Sequence, residues 1–284
     1  MTSKQIIVIA FLILSSPKFF GQIRNRLNSN DLDRYGLNGK VYELEYREYT
    51  PILATDSSLS YKLNFEAFIK SHYDIQFNKN GYLTSKKEYF SKDDMLIKDR
   101  DWSYEYENKK LIKEVKIAAQ RQDTSVWNYR YPSKDTVIIT SHETYYGDFF
   151  YRYVQANSKE VLSTRAKSTQ YRKYNVFYYD KNNRMVKSEE FAQDTIYSIK
   201  IYEYQDLKSK NITFEKYISK GIPLFVQSRK FDKENNVVAV FNQNNELYES
   251  FVYVYDKKKN WIERKTFNRS GKFIKLSKRK ITYY

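Results

Sequence analysis

The chain contains no cysteine among its 284 residues. Disulfide bonds, thiolate metal sites and a lipidated N-terminal cysteine are therefore excluded. If the chain is exported, it must fold on side-chain packing and hydrogen bonds alone, without the cross-links that small secreted domains often use.

Glycine, proline and histidine are also scarce, with 7, 4 and 2 residues respectively. The scattered glycines form neither a phosphate-binding loop nor a dinucleotide fingerprint, and no G-x-S-x-G nucleophile elbow occurs. His72 and His142 stand in unrelated contexts, without ligand partners at the spacing of a zinc site. We therefore predict no catalytic residue, no metal site and no cofactor.

One acidic cluster contains Asp93, Asp94, Asp99 and Asp101. Its carboxylates would suit Ca²⁺, but the cluster lacks the ligand spacing and the glycine of a calcium loop. Basic residues are interleaved with it at Lys92, Lys98 and Arg100. That pattern favours a solvated turn over a metal site.

Long apolar runs are absent beyond the first residues of the chain. The uncharged segment from Ile6 to Leu14 follows Lys4 and is shorter than the roughly 20 apolar residues that a membrane-spanning helix needs. We predict a signal peptide over 1–21, a polar lead-in over 22–35 and a single domain over 36–284. The mature chain is then exported to the periplasm, the outer surface or the medium, with no membrane span. A retained N-terminal anchor is the alternative.

Aromatic residues and positive charge are in excess. The chain has 29 Tyr and 18 Phe, and its formal net charge is +16 at pH 7. Tyr and Phe favour β-strands, and a high positive charge favours anionic partners. The charge has a second interpretation, because AT-rich codon usage also enriches a protein in Lys, Asn, Ile and Tyr.

A seven-residue frame from an aromatic to an apolar residue recurs six times. The copies are FNKNGYL (77–83), YDKNNRM (179–185), FDKENNV (231–237), FNQNNEL (241–247), YDKKKNW (255–261) and FNRSGKF (267–273). Asp or Asn always follows the aromatic residue, where it can accept hydrogen bonds within a type I turn. Gly or Asn follows three residues later in five copies, where a left-handed residue completes a bulge, whereas the fifth copy has Lys259. The frame therefore predicts hairpin turns rather than catalytic acids.

The segments that flank the frame alternate as β-strands do. In VYELEYREY (41–49), Tyr42, Leu44 and Tyr46 fall on one face. The turns recur with a period of about 25 residues, which indicates a repeat architecture. We predict an all-β fold, an antiparallel β-meander of hairpin repeats in an open curved or elongated sheet, although the pattern also fits a closed one. One short helix is expected within 56–70.

The segments VFYYDKNNRMVKSEEF and YVYDKKKNWIERKTF resemble the YD (RHS-type) repeats of exported bacterial proteins found in Bacteroidetes. The resemblance covers about residues 73–284. It implies hairpins wound into a curved sheet and no catalytic residue. The glycine of those repeats is mostly replaced by Asn or Lys here.

Aromatic residues at alternate strand positions, with basic neighbours, predict a surface that binds anionic glycan. The candidate binding residues are Tyr253, Tyr255, Trp261, Arg264, Lys275, Lys278 and Arg279. The basic C-terminal stretch has a second interpretation, since lysine on a terminal strand also protects a sheet edge from aggregation.

We expect a non-enzymatic exported protein that binds or scaffolds at the cell envelope or outside the cell. Its expected partner is an anionic glycan or an envelope protein, and nucleic acid is not expected because the chain is exported. Two alternatives remain. One is a lyase-like enzyme on acidic polysaccharide, with Tyr and a basic residue as base and acid. The other is a protein-interaction module whose hairpin edges recruit a partner strand.

Overall fold

The computed structural model describes residues 31–53, 59–63, 72–120, 123–133, 136–143, 147–156, 159–166, 172–182, 184–192, 195–205 and 211–284. These residues form one short helix, α1 (Asp31–Arg34), and nineteen strands. The first ten strands are β1 (Val41–Leu53), β2 (Leu59–Leu63), β3 (His72–Phe77), β4 (Leu83–Lys92), β5 (Met95–Glu107), β6 (Lys110–Ala118), β7 (Asp123–Ser133), β8 (Thr136–Glu143), β9 (Gly147–Ala156) and β10 (Lys159–Ala166). The others are β11 (Arg172–Tyr179), β12 (Met185–Ala192), β13 (Thr195–Tyr204), β14 (Ile212–Ser219), β15 (Ile222–Phe231), β16 (Val237–Phe241), β17 (Leu247–Tyr255), β18 (Trp261–Asn268) and β19 (Phe273–Tyr283).

All of these strands belong to one antiparallel sheet. Each strand from β3 to β18 is hydrogen-bonded to the next strand in the chain, and β1 is hydrogen-bonded to both β19 and β3. Strand β2 pairs only with the end of β1, from Tyr49 to Leu53. The predicted all-β meander of hairpins is confirmed, and the curvature of the sheet places the last strand beside the first.

The C-terminal strand is paired on both sides. Strand β19 lies between β18 and β1, with Lys278 opposite Glu263 on one neighbour and opposite Arg47 on the other. The interpretation of the C-terminal lysines as protection of a terminal edge is therefore wrong. It failed because sequence order does not show which distant strand covers the last one.

The recurring frame forms the turns that it predicts. In all six copies the Oδ1 atom of the Asp or Asn accepts hydrogen bonds from the backbone N–H groups two and four residues later, at 2.8–3.1 Å. The strand register shifts by a bulge at the aromatic residue of every copy. The expected left-handed residue has positive φ at Gly81, Asn235, Asn245 and Gly271, and also at Lys259, whereas Asn183 lies outside the described residues. The frame therefore has a structural role, which is to form the hairpin turns.

Half of the acidic cluster forms a turn, whereas Asp99 and Asp101 lie within strand β5. Asp93 and Asp94, with φ of 52° and 58°, are the two central residues of the tight connection between β4 and β5. The neighbouring charges are paired, with 2.7 Å between Lys98 Nζ and Asp101 Oδ2. The solvated-turn interpretation therefore holds for Asp93 and Asp94 and is wrong for Asp99 and Asp101, which are strand residues.

The helix expected within 56–70 is wrong over residues 59–63, which form β2, and the rest of that segment lies outside the described residues. The segment LSYKL alternates apolar and polar residues, which is the pattern of a strand, and its pairing with β1 stabilises it in that conformation. The predicted signal peptide also lies outside the described residues.

The end of the predicted lead-in packs onto the sheet as α1. Asp31 is 4% exposed, and its Oδ2 accepts hydrogen bonds from Leu83 N at 2.8 Å and from Tyr106 Oη at 2.9 Å. Leu32 and Leu37 join the apolar core. The folded region therefore includes residues 31–35.

The face of the sheet beneath α1 changes from apolar to charged along the strands. Nearest α1 it carries Leu44, Ile75, Phe77, Leu83 and Leu111, all at most 1% exposed. Burying each such side chain contributes roughly 2 kcal/mol to folding. Further along the same strands this face carries buried carboxylates, at Glu48, Glu88 and Glu114. We call it the α1 face, and the candidate site lies where its apolar part ends.

Candidate functional site

The structure brings six of the seven predicted binding residues to the α1 face. Arg264 is opposite Ser277 across β18 and β19, and residues two apart in a strand share a face, so Lys275 and Arg279 lie on the same face as Ser277. Lys278 lies on the opposite face for the same reason. The prediction that Lys278 joins this site is not supported, because the basic residues of β19 alternate between the two faces.

A turn of the recurring frame places Trp261 beside Arg264. Tyr255 is opposite Trp261 and Val254 is opposite Glu263, so a bulge intervenes between these two pairs. A bulge shifts the two-residue alternation by one position. Trp261 and Arg264 therefore share the α1 face although they are three residues apart.

Arg279 is the central cation of the site. Its Cζ atom lies 3.6 Å from the centroid of the Trp261 ring, which is a close cation–π stack. Its Nη2 atom donates to the carbonyl oxygen of Tyr35, at 3.2 Å. Its Nε and Nη1 atoms are buried and have no hydrogen-bond partner among the described residues. Burial lowers the pKa of Arg279, because its environment disfavours the charged form.

Two further cations share one carboxylate beside it. Lys275 Nζ lies 3.4 Å from Glu48 Oε2, and Arg264 Nη2 lies 3.8 Å from Glu48 Oε1. The hydroxyl of Tyr46 also donates to Glu48 Oε1, at 2.5 Å. We call Arg264, Lys275 and Arg279 the arginine cluster. Among the residues that the structure describes, its three cations are paired with one carboxylate, which leaves an excess of positive charge at a half-buried position.

Tyrosine rings line the cluster and are held in place by their own contacts. Tyr46 stacks on Tyr73 with ring centroids 4.6 Å apart and planes 13° apart. The Tyr253 ring lies 6.0 Å from Trp261, and its hydroxyl donates to the Val237 carbonyl at 2.8 Å. Burial, and then the charge of Glu48, raises the pKa of Tyr46 well above its usual range. These phenols are therefore neutral and serve as rigid ring surfaces.

Tyr255 has a structural role beside the site. Its hydroxyl donates to Asp232 Oδ2 and accepts from Asn236 Nδ2, so it is bonded to the turn between β15 and β16. Burial and the hydrogen bond to Asp232 raise its pKa. Tyr255 thus positions Tyr253, on which its ring stacks at 6.0 Å, rather than offering a free hydroxyl to a ligand.

Sequence reasoning missed Tyr46, Glu48, Tyr73 and Ser277, all of which contact the cluster or its lining. One signal was available in VYELEYREY, where Glu48 breaks the alternation by putting a carboxylate on the face of Leu44 and Tyr46. A carboxylate on a buried face requires a charged partner, and Arg264 and Lys275 provide it.

His72 lies next to the site and is bonded to the backbone of β1. It is fully buried, and its Nδ1 accepts a hydrogen bond from the backbone N–H of Glu48 at 3.3 Å. Within the described ranges no group of three or more His, Asp or Glu residues is arranged to hold a metal ion.

No protein-family model matches this chain, and no curated protein matches it. The solved structures that resemble it include a porin-like protein from Bacteroides uniformis ATCC 8492, with 10% sequence identity and a TM-score of 0.47. That similarity covers 86% of this chain and 98% of the porin-like chain. None of the residues that the structure describes forms a helix long and apolar enough to cross a membrane.

Proposed function

We propose that this protein is exported and binds an anionic glycan at the arginine cluster, as a non-enzymatic binding or scaffolding protein of the cell envelope or exterior. The observation that supports this most is Arg279, which is buried against Trp261 without a carboxylate partner among the described residues. A carboxylate or sulfate group of a glycan would supply the missing counter-charge. Export is supported by the apolar segment from Ile6 to Leu14.

The energetics favour an anionic ligand here. Removing a cation from water without a partner costs several kcal/mol, which an incoming anion offsets. Each charge-assisted hydrogen bond to the unpaired N–H groups of Arg279 or to Arg264 Nε would contribute about 1.5–3 kcal/mol. The ring faces of Trp261 and Tyr253 add contact area for a sugar ring.

The lyase-like alternative is less well supported. A tyrosine that abstracts a proton must lose its own proton readily, yet burial raises the pKa of both tyrosines beside Arg264, Tyr46 and Tyr253. The partner-strand alternative requires a long free edge. Among the described strands only β2, with five residues, lacks a second neighbour.

The test is binding of the chain from Gln22 onward to polygalacturonate, a sulfated glycosaminoglycan and a neutral glucan, at low and high salt. Saturable binding to one anionic glycan that persists at high salt supports the proposal. Weak binding to every polyanion that disappears at high salt contradicts it, because nonspecific charge attraction is screened. Release of unsaturated uronate from the glycan would support the lyase instead.

Two lysines of β19 provide a matched pair of variants. Lys275 belongs to the arginine cluster, whereas Lys278 is exposed on the opposite face of the sheet, across from Glu263. We expect Lys275→Gln to weaken glycan binding about tenfold, as loss of one charge-assisted contact does, and Lys278→Gln to leave it unchanged. Equal weakening by both variants would mean that the positive charge acts generically.

A further inference from the structure

A second aromatic group lies on the α1 face, at Trp102 on β5 and Trp127 on β7. The ring centroids are 5.9 Å apart and the planes 17° apart, so the rings are nearly parallel. Lys116, on the intervening strand β6, places its Nζ 5.8 Å from the Trp102 ring and 5.3 Å from the Trp127 ring. We call Trp102 and Trp127 the tryptophan pair. Trp102 is the more exposed of the two.

Two polar groups beside the tryptophan pair have no hydrogen-bond partner among the described residues. They are Trp102 Nε1 and the hydroxyl of Ser141, a residue that is 3% exposed and lies opposite Trp127. A buried donor without an acceptor is costly, so such groups commonly mark a place where another molecule supplies the acceptor. The hydroxyls of a sugar ring have this chemistry, and the ring itself can stack on tryptophan.

The pair and the arginine cluster share one face of the sheet. Residues directly opposite each other on neighbouring strands face the same way. The register connects the two groups through Arg279–Tyr46, Tyr46–Tyr73, Tyr73–Glu88 and then Lys86–Trp102, since Lys86 and Glu88 are two apart in β4. Four inter-strand spacings of about 4.8 Å separate β19 from β5, which is roughly 19 Å along the sheet.

We propose that the ligand is an oligomeric acidic glycan that contacts both groups at once. Its acidic group binds at the arginine cluster, and a sugar ring further along the chain stacks on Trp102, with hydroxyls bonded to Trp102 Nε1 and Ser141. This inference rests on the proposed function and adds the length of the ligand to it. A single sugar ring cannot reach both groups.

The test is calorimetric binding of galacturonate oligomers, from the dimer to the decamer, to the chain from Gln22 onward. We expect affinity to rise with length until the oligomer spans both groups. Trp102→Ala should weaken the long oligomers about tenfold and leave the dimer unchanged, because loss of a stack and a hydrogen bond together has that size. Trp102→Phe, which keeps a ring in the same place, should lose less.

Tyr248→Ala is the matched control, since Tyr248 is an aromatic residue that is 57% exposed and belongs to neither group, and we expect it to bind as the parent does. Affinity that is independent of length, or equal weakening of short and long oligomers by Trp102→Phe, overturns the second contact while leaving the proposed function intact. Absence of saturable binding at every length, together with absence of saturable binding to the sulfated glycosaminoglycan, overturns both. Thermal unfolding of each variant identifies any that fails to fold, and Trp102→Phe then decides the result.

Discussion

Single residues in the turns carry measurable backbone strain. Lys259 adopts φ of 64°, a left-handed conformation that costs a residue with a Cβ about 1 kcal/mol or more. We expect Lys259→Gly to raise the free energy of unfolding by about 0.5 kcal/mol, because relief of strain outweighs the extra freedom of glycine in the unfolded chain. Urea unfolding followed by circular dichroism measures this.

Gly271→Ala is the reverse experiment. Gly271 has φ of 77°, and no atom lies within 4 Å of the position that an added methyl group would take, so the new Cβ meets only backbone strain. The free energy of unfolding should fall by about 1 kcal/mol. Changes of the same sign in the two variants would contradict the assigned turn geometry.

Tyr178 gives a prediction on pH. Its hydroxyl donates to Glu189 Oε2 at 2.6 Å, and this hydrogen bond, followed by burial and the charge of Glu189, raises the pKa of Tyr178 to about 12. The folded state therefore holds the phenol proton more tightly than the unfolded state, whose tyrosine pKa is about 10. The resulting stabilisation is fully present below a pH of about 10 and is lost as the pH rises towards 12.

We expect Tyr178→Phe to lower the free energy of unfolding by about 1–2 kcal/mol at neutral pH, since the lost hydrogen bond is to a charged group but is partly screened by solvent. The difference from the parent should narrow as the pH rises above about 10. Urea unfolding of both proteins over a series of pH values checks this, and a difference that does not change with pH would refute it.

The candidate site was predictable residue by residue only in part. The excess of basic and aromatic residues near the C-terminus pointed to Trp261, Arg264 and Arg279. Lys275 and Lys278 are three positions apart on an unbulged part of β19, so strand alternation alone separates them, and a composition-based choice of basic residues overlooked this. Trp261 and Arg264 are also three positions apart but share a face because a bulge shifts the alternation by one position, which sequence spacing does not show. The partners on β1 come from the other end of the chain, as with Tyr46 and Ser277, which are 231 positions apart. Local patterns do not reveal such contacts.

At the scale of elements, hydrogen bonds of Asp31 attach α1 to the β3–β4 hairpin and to β5. Asp31→Ala would leave the buried backbone N–H of Leu83 without its acceptor and would remove the hydrogen bond that the Tyr106 hydroxyl donates to Asp31. We expect the free energy of unfolding to fall by about 1–3 kcal/mol, the cost of one buried unpaired donor.

Asp33→Ala is the control for that change. Asp33 belongs to the same helix but is exposed, so its removal should alter stability by less than about 0.5 kcal/mol. Chemical denaturation measures both variants. Equal losses would mean that α1 is stabilised by its charge rather than by the contacts of Asp31.

The hairpins were predicted better than the contacts between elements that are distant in the chain. The Asp and Asn residues of the frame determine each turn locally, so the hairpins could be predicted from seven residues at a time. The pairing of β1 with β19 involves no shared turn, and the packing of α1 on the sheet depends on contacts with Leu83 and Tyr106. Those features follow from the three-dimensional curvature of the sheet.

At the scale of the whole molecule, β19 supplies a partner to two strands. A chain that ends at Lys272 would leave one side of β18 and one side of β1 unpaired, and would remove Leu276, which is 2% exposed. We expect this truncated chain to lose its cooperative unfolding transition, whereas the chain from Gln22 to Tyr284 keeps it. A sharp urea transition in the truncated chain would show that β19 is dispensable.

The contact between the first and last strands also has a consequence for how the protein is made. Glu45 and Lys280, which pair across β1 and β19, are 235 positions apart in the chain. Hairpins can form within microseconds as each one emerges from the ribosome, but this contact must wait until β19 has been made. During that interval β1 exposes unpaired backbone groups, which is the arrangement that promotes aggregation. The newly made chain therefore needs protection from aggregation until β19 has been made and has paired with β1.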